Sequence, residues 1–577
     1  MNKNWIIREP GNAQDVKHLI EVLGVEMPVA NLLVQRGVKT YEQAKSFFRP
    51  NLADLHDPFL MKDMEAAVIR LQKAIISNEQ IMVYGDYDVD GTTSVAMMYI
   101  FLKSLTKNLT YYIPDRYNEG YGISFKGIDT ARENGTTLIV ALDCGIKSVE
   151  KIAYAKKHGI DFIICDHHTA DIIIPDAVAV LDPKRPDCNY PFKELSGCGV
   201  GYKLIQAYCM RNSLPTELLE SMLDLVVVSI ASDIVPIVGE NRILSHFGLK
   251  QLNSNPRSGL KAIIKIAGIE DKEITIDDIV FKIGPRINAA GRIEKGMSSV
   301  ELLVSDNEDT SHEMGDLIND FNTTRRNIDL NITREALDFI AASKDLLGKK
   351  ATVVFNQNWH KGVVGIVASR LTETYYRPTI VLTESNGLIT GSARSVSGFD
   401  LYKAIESCSS LLENFGGHMY AAGLTMKKEN YKAFKQRFEE FVADTIQNEQ
   451  MIPSIEIDME LKLTDISSKL YKIIKQFEPF GPENMAPVFI TENIVDDGTG
   501  KIVGNSKEHL KLNILHEDEP FKPYPAIAFN FANLHTHISK GYPFDICYCI
   551  DENEYRGNTN LQLRIKDIKP EKQQRKI

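Results

Sequence analysis

Asp86, Asp88 and Asp90 stand at alternate positions in 84-YGDYDVDG-91, and Gly91 closes the run. Carboxylates this close repel one another, and the adjacent sequence supplies no countercharge, so the run asks for a bound cation. D-x-D-x-D-G also opens an EF-hand calcium loop, but such a loop needs a bidentate Glu at its twelfth position, which here is Met97. A helix should precede that loop, whereas 80-QIMVY-84 is a short apolar run rich in strand formers. A self-contained calcium loop is therefore excluded. The ordinary alternative is a turn built from Asp and Gly.

Three more segments place acids or histidines just after apolar runs: 140-VALDCG-145, 163-IICDHHTA-170 and 229-SIASDIVP-236. Singly, an Asp at a strand end is usually a helix cap, and a lone His is usually a satisfied polar group. Taken together, Asp88, Asp90, Asp143, Asp166, His167, His168 and Asp233 make a candidate metal site. Carboxylates with one or two imidazoles suit Mn²⁺ or Mg²⁺, although Cys144 and Cys165 lie beside the candidates and keep zinc open. Two ions about 4 Å apart, bridged by a shared carboxylate, would activate a water and stabilise the leaving oxygen of a phosphoester.

Residues so far apart need a scaffold that gathers them. From about residue 80, short apolar runs (QIMVY, LTYYI, TLIVALD, DFIICD) alternate with helix-like stretches, the signature of an open parallel sheet flanked by helices. In such a sheet the strand ends converge on one crevice, where the strand order reverses. The expected fold class is α/β, in five parts. Residues 1–75 read as a helical segment, and 76–250 as the metal-bearing parallel-sheet domain. Residues 251–346 form a helical connector, and 347–448 a second, mixed α/β domain that binds substrate. Residues 449–577 carry short strands that suggest a small OB-like barrel for nucleic acid. The apolar stretch 218–242 reads as one long helix that breaks at Asp233, before Pro236.

A chain of 577 residues is too long for one core, and 44% apolar with 25% charged residues is ordinary for a soluble protein. No apolar stretch reaches the length of a membrane span, and MNKNWIIREPGNAQD has no signal-peptide hydrophobic region, so a cytoplasmic enzyme is expected. The eight cysteines form no C-x-x-C pair and read as reduced, buried thiols. A net charge of −11 does not advertise nucleic-acid binding, but a binding groove is a local feature and the total does not exclude one.

The combination resembles the DHH phosphoesterase superfamily, whose triplet stands here as Asp166-His167-His168. Within it the chain is similar to the branch of single-strand-specific 5′→3′ exonucleases. The likeness covers nearly the whole chain. It includes DYDVDG, ALDCGI, CDHH and ASDIVP, then GPRINAAGRI (284–293), HKGVVGIVASRL (360–371), GSARS (391–395), FGGHMYAAG (415–423) and FGPENMAP (480–487). The resemblance implies Asp88, Asp90, Asp143, His167 and Asp233 as ligands of two divalent ions, Mn²⁺ or Mg²⁺, with Asp143 bridging. It sets His168 against the scissile phosphate and Asp166 as a catalytic acid that orients an imidazole. Asp86 belongs to the same motif, in a supporting role that stays open. Arg116, Arg286, Ser392, Arg394, Gly416, Gly417 and His418 are implied substrate contacts, and Tyr117 or Tyr121 could stack on a base. One departure is a Ser in 229-SIASDIVP-236 where many relatives have Thr or Gly.

The implied activity is hydrolysis of single-stranded DNA in repair and recombination. It would be performed by a monomer away from membranes, with a single-strand-binding protein and a repair helicase as partners. Superfamily members that cut short RNAs or pyrophosphate are smaller and lack a terminal barrel, and membrane-bound cyclic-dinucleotide phosphodiesterases carry transmembrane segments. Non-catalytic scaffolds of this fold have lost metal ligands that are all present here. The basic end, 564-RIKDIKPEKQQRKI-577, is open between a DNA or partner contact and a solvated tail.

Overall fold

The computed structural model describes residues 3–516, 519–555 and 558–570, so the last part of the basic tail, 571–577, lies outside the described residues. The chain forms two compact units, Leu52–Pro453 and the pair of segments Met1–Asn51 and Ser454–Ile577.

In Leu52–Pro453 the first sheet has five parallel strands, in the spatial order Leu109–Tyr112, Ile81–Gly85, Leu138–Leu142, Asp161–Cys165 and Ala179–Leu181. Ile81–Gly85 and Leu138–Leu142 are buried throughout, because helices cover both faces. Val83, Val140 and Ile163 pack with the helices Met64–Ile76, Val89–Lys103, Gly197–Asn212 and Leu223–Ser232. Met82, Tyr84 and Ile139 pack with Phe125–Glu133 and Val149–Lys157 on the other face. The order reverses between Ile81–Gly85 and Leu138–Leu142, which opens a crevice at the ends that carry 86-DYDVD-90 and Asp143.

The apolar stretch 218–242 is not one helix. It divides into Glu217–Glu220 and Leu223–Ser232, with the next helix starting at Gly239. The first break lets Leu219, Met222 and Leu223 all turn inward. Beyond it the 34-residue helix Glu308–Ala341 packs against Gly284–Ile293 and Val364–Tyr375. The second sheet is mixed, with five strands in the order Asn414–His418, Ala421–Met426, Leu388–Arg394, Thr379–Ser385 and Thr352–Phe355. The glycines of FGGHMYAAG lie in the first two of these strands, which form a hairpin.

In the other unit, Phe489–Asp496, Phe544–Tyr555, Asn558–Pro570, Glu519–Ala528 and His509–His516 pair in that order. Pairing of the first with the last closes a five-stranded barrel. The stretch 1–75 is not wholly helical and not one segment. Asn4–Ile7 is a strand that pairs in parallel with Ser454–Ile457, and the helices Ala13–Leu23, Met27–Gln35 and Tyr41–Phe48 share the barrel's core. Met64–Ile76 packs under the parallel sheet instead.

One buried ion pair ties the helices beneath that sheet together. Lys203 Nζ lies 3.0 Å from Glu240 Oε1 and donates to His56 O at 2.7 Å, while Tyr190 Oη donates to Glu240 Oε2 at 2.7 Å. Replacing Lys203 by Met strands the Glu240 carboxylate in the core, an expected loss of roughly 3–5 kcal/mol. Urea unfolding followed by far-UV circular dichroism measures it, and a cost below about 1 kcal/mol would show that Glu240 finds another partner.

Candidate metal centre

The crevice gathers side chains from three strand ends and one helix end. His167 Nε2 lies 3.2 Å from Asp143 Oδ1, 3.5 Å from Asp233 Oδ2 and 3.7 Å from Asp90 Oδ2. Two overlapping groups could each hold a cation: Asp143, His167 and His168, and Asp90, His167 and Asp233. Asp143 takes a left-handed backbone, φ +57°, straight after its strand, with its N–H on Cys165 O at 2.8 Å. Asp90 is fixed at both oxygens. Gly197 N donates to Oδ2 at 2.7 Å, while Cys198 N at 2.8 Å and Ser229 Oγ at 2.7 Å donate to Oδ1.

Asp88 and Asp86 stand outside these two groups. Asp88 caps the helix Val89–Lys103, accepting from Gly91 N at 2.9 Å, yet its charge still bears on Asp143, Asp233 and His168. Asp86 is fully buried and accepts from Gly122 N at 3.2 Å, and its burial together with the Asp88 charge holds its carboxyl well above the usual range. Gly91 permits this fold-back, because a Cβ there would lie 2.3 Å from Asp86 O.

Asp166 plays a different part. It accepts from His168 Nδ1 at 2.7 Å, from His167 N at 2.8 Å and from Ile146 N at 2.9 Å. Burial works against its charge, but the His168 hydrogen bond and cation outweigh that and hold the carboxyl below its ordinary value. Burial likewise opposes the His168 cation, but the Asp166 bond and charge lift the imidazole to about 9. Tyr121 Oη meets the other ring nitrogen of His168 at 3.2 Å and lies 3.3 Å from Asp143 O, so it braces the centre.

The residues present fit divalent cations. Both carboxylate oxygens of Asp143 and both ring nitrogens of His167 are buried without a hydrogen-bond partner, an arrangement that is costly unless something satisfies it. Burial, then the charges of Asp90, Asp88 and Asp233, pushes the Asp143 carboxyl well above its usual range. Burial lowers His167, keeping it in the neutral form that ligates. Burial raises the Cys144 and Cys165 thiols, so the donor set is oxygen and nitrogen, suited to Mn²⁺ or Mg²⁺.

A group of guanidiniums adjoins the centre. The helix Gly284–Ile293 runs from Ser232, where a Cβ on Gly284 would lie 2.7 Å from Ser232 Oγ, to Tyr87, whose O a Cβ on Gly291 would approach to 2.8 Å. At its far end Arg116 Nε donates to Gly291 O at 2.9 Å, with its Cζ 3.9 Å from the Tyr87 ring centre. Arg292 Nη1 donates to Gly362 O at 2.9 Å. Burial, then the charges of Arg116, Arg325 and Arg394, brings the Arg292 guanidinium down to about 9. Such crowding of cations calls for a polyanion.

Arg394 Nη1 donates to Ser392 Oγ at 2.8 Å, beside the start of the helix Val364–Tyr375, where a Cβ on Gly365 would lie 3.1 Å from Ser392 Oγ. Burial lowers the His418 imidazole, and the charges of Arg394 and His168 lower it further. A Cβ on Gly416 would meet open space, whereas Gly417, at φ +144°, packs against Ala421 O. Arg286, in the first turn of the helix Gly284–Ile293, is engaged within the fold, bonded to Lys282 O and Asn319 Oδ1 beside Arg326. Tyr117 donates to Arg292 O, so its hydroxyl is engaged within the fold.

Arg292, Arg325, Ser229, Gly197 and the bracing role of Tyr121 were not singled out from the sequence. Arg292 sits inside the GPRINAAGRI motif, and 196-SGCGVG-201 has the Ser-and-glycine pattern of a tight helix start; those were the available signals.

The fold and this centre define a DHH-type phosphoesterase: residues 80–230 match the DHH family, N-terminal domain, and residues 348–444 the DHHA1 domain. Residues 457–567 match the RecJ OB domain. The chain is 38% identical over 565 residues to the single-stranded-DNA-specific exonuclease RecJ of Bacillus subtilis, covering 98% of this chain and 70% of that protein. It is 31% identical to the protein of that name from Escherichia coli, over 95% of this chain and 97% of the relative. A crystal structure of RecJ in complex with Mn²⁺ from Thermus thermophilus superposes with a TM-score of 0.85 at 24% identity, over 99% of this chain and 80% of that one. A crystal structure of exonuclease RecJ bound to manganese matches at 29% identity with a TM-score of 0.59, over 69% of this chain and 98% of that one. The chain belongs to the RecJ family.

Proposed function

We propose that this chain hydrolyses single-stranded DNA from the 5′ end, using two divalent ions, Mn²⁺ or Mg²⁺, in DNA repair and recombination. The observation that carries the reading is the junction of two groups: a carboxylate and an imidazole buried without hydrogen-bond partners among other acids, beside guanidiniums that repel one another. A phosphodiester with divalent ions completes both. The relatives' names, single-stranded-DNA-specific exonuclease, and the crystal structures of RecJ with manganese and with magnesium agree with it.

Asp143, His167, Asp90 and Asp233 would hold the ions, with Asp88 at the rim and Asp143 shared between them. Bound there, such ions supply an activated water and neutralise charge on the departing oxygen. His168, held as a cation by Asp166 and braced by Tyr121, donates to a phosphate oxygen. Arg394, Ser392 and His418, with the open backbone at Gly416 and Gly417, bind the 5′-terminal phosphate, while Arg116 and Arg292 neutralise the next. Arg286 contacts a phosphate further along the strand, and Asp86 supports the metal loop from behind.

In this division of labour, 76–250 bears the metals and 251–346 connects. Residues 347–448 grip the strand end, and 449–577 adds an OB-like module for single strands. The reading extends to a cytoplasmic monomer that works with a single-strand-binding protein and a repair helicase, since a strand exonuclease needs its substrate unwound and kept single.

With Mn²⁺ present, single strands labelled at either end separate the alternatives. Release of the 5′ label first, with duplex left intact, is the expected result. Release from the 3′ end first, or hydrolysis confined to dinucleotides, rules the reading out.

A further inference from the structure

The helix Leu223–Ser232 ends on Asp233, and the next residue, Ile234, has φ +58°. That left-handed position just past a helix is where glycine is the usual occupant, and a β-branched side chain there is strained. Burial does not offset the strain: Ile234 is 64% exposed, whereas Val235 and Ile237 turn inward. Glycine would end the helix and place Asp233 at lower cost, so helix termination does not account for the isoleucine.

A second apolar side chain stands on the neighbouring segment. The π-helical turn Ile279–Ile283 packs against the same helix with Ile279 and Ile283 buried, but Phe281 is 74% exposed. Gly284, which follows it, is the residue closed against Ser232. The exposed side chains of Ile234 and Phe281 thus arise from two backbone segments that meet at Ser232, next to the Asp233 carboxylate. Lys282, paired with Asp278 at 2.9 Å, and Arg286, bonded to Lys282 O and Asn319 Oδ1, share the second segment. An exposed aromatic beside cations, next to a phosphate-directed centre, has the composition of a base-stacking platform, and π-turns recur at functional sites.

We propose that Ile234 and Phe281 form the apolar contact for the nucleobase adjoining the scissile phosphate, a step that rests on the nuclease reading above. Ile234 supports the base at its edge, and the Phe281 ring takes its face. The strain at Ile234 is offset when the strand binds, and the contact orients the phosphate before Asp233 and His167.

The test uses the full chain with Mn²⁺ and two single strands that differ only in their two 5′-terminal nucleosides, normal in one and abasic in the other. Wild type is expected to show a KM about tenfold higher on the abasic strand, the size of one stacked base. Ile234→Gly and Phe281→Ala each raise KM about tenfold on the normal strand, with kcat within about twofold, and lose little more on the abasic one, as a shared contact requires. Apart from catalysis, the thermal midpoint of Ile234→Gly equals or exceeds that of wild type, because the strain is gone. An unchanged KM for both variants, or equal losses on both strands, overturns the contact. A wild-type chain that leaves both strands intact fails the nuclease reading instead, and the two failures are distinct.

Discussion

Asp143→Ala is expected to reduce strand hydrolysis by at least ~10³-fold, with the fold intact. Asp143 has both its oxygens buried without a hydrogen-bond partner, and the one nearest His167 lies 3.2 Å from Nε2. It gains nothing from the surrounding protein. Burial and the charges of Asp90, Asp88 and Asp233 all disfavour its ionised form, so only bound cations stabilise it. Two readouts should therefore move in opposite senses. Without metal, Ala at this position removes a desolvated, repelled group, and the thermal midpoint should hold or rise. With Mn²⁺, wild type should gain about 2.7 kcal/mol at a hundredfold excess over Kd, and the variant should gain far less. Multiple-turnover rates on a 5′-labelled strand, with thermal unfolding at several Mn²⁺ concentrations, check both. Wild-type activity in the variant would remove the centre from the reaction. An equal Mn²⁺ gain in both proteins would place the metal elsewhere.

Much of this centre was legible in the sequence because strands announce themselves locally. QIMVY, TLIVALD and DFIICD are short apolar runs ending in acids, and parallel strands set their ends at one edge, so Asp90, Asp143 and His167 could be grouped before any distance was known. What was not legible depends on contacts between distant segments. Asp88 was grouped with the candidate ligands, and its second task was not foreseen: one of its oxygens caps its own helix, since an Asp just before a helix start finds the free N–H groups there. Tyr117 or Tyr121 was offered as a stacking partner for a base, and the bracing part that Tyr121 plays was not foreseen. The Tyr121 hydroxyl meets His168 and the Asp143 carbonyl, partners 47 and 22 positions away.

The N-terminal strand Asn4–Ile7 pairs with a strand some 450 positions away, and no local periodicity encodes a two-stranded pairing of that kind. Backbone conformation was the other blind spot. The left-handed turn at Ile234 sits at a β-branched residue type that seldom adopts it, so residue type argued against the geometry just past Asp233.

Gly197→Ala should cost ~10²-fold in kcat/KM although residue 197 contributes no side chain to the centre. A Cβ at 197 would lie 2.6 Å from Asp143 Cβ, 2.8 Å from its Cα and 2.8 Å from its Oδ1, distances that cannot be relieved by rotating a flexible side chain. Either Asp143 moves or the start of the helix Gly197–Asn212 does. That start carries the N–H groups of Gly197 and Cys198 that hold both oxygens of Asp90, and the hydroxyl of Ser196, its cap, lies 2.7 Å from Ser229 Oγ, the third donor to Asp90. Either movement separates Asp90 from Asp143, and with them the two halves of the centre. Mn²⁺ affinity should fall ~10–100-fold, the cost typical of disturbing what orients a ligand. Far-UV circular dichroism should not change.

Gly201→Ala, one turn further along the same helix, separates this effect from general crowding. Its Cβ would meet Leu142 Cδ2 at 2.9 Å and Met97 Cε at 3.2 Å, the ends of side chains that can shift, so a stability loss of about 1–2 kcal/mol with near-normal Mn²⁺ affinity is expected. Isothermal titration with Mn²⁺ and strand hydrolysis on the two variants decide the matter. If both lose affinity alike, the helix acts on the site only through its packing. If Gly197→Ala alone loses it, the approach of backbone 197 to Asp143 sets the spacing of the acids, and the 84-YGDYDVDG-91 loop works only because a glycine on another helix leaves room for its partner.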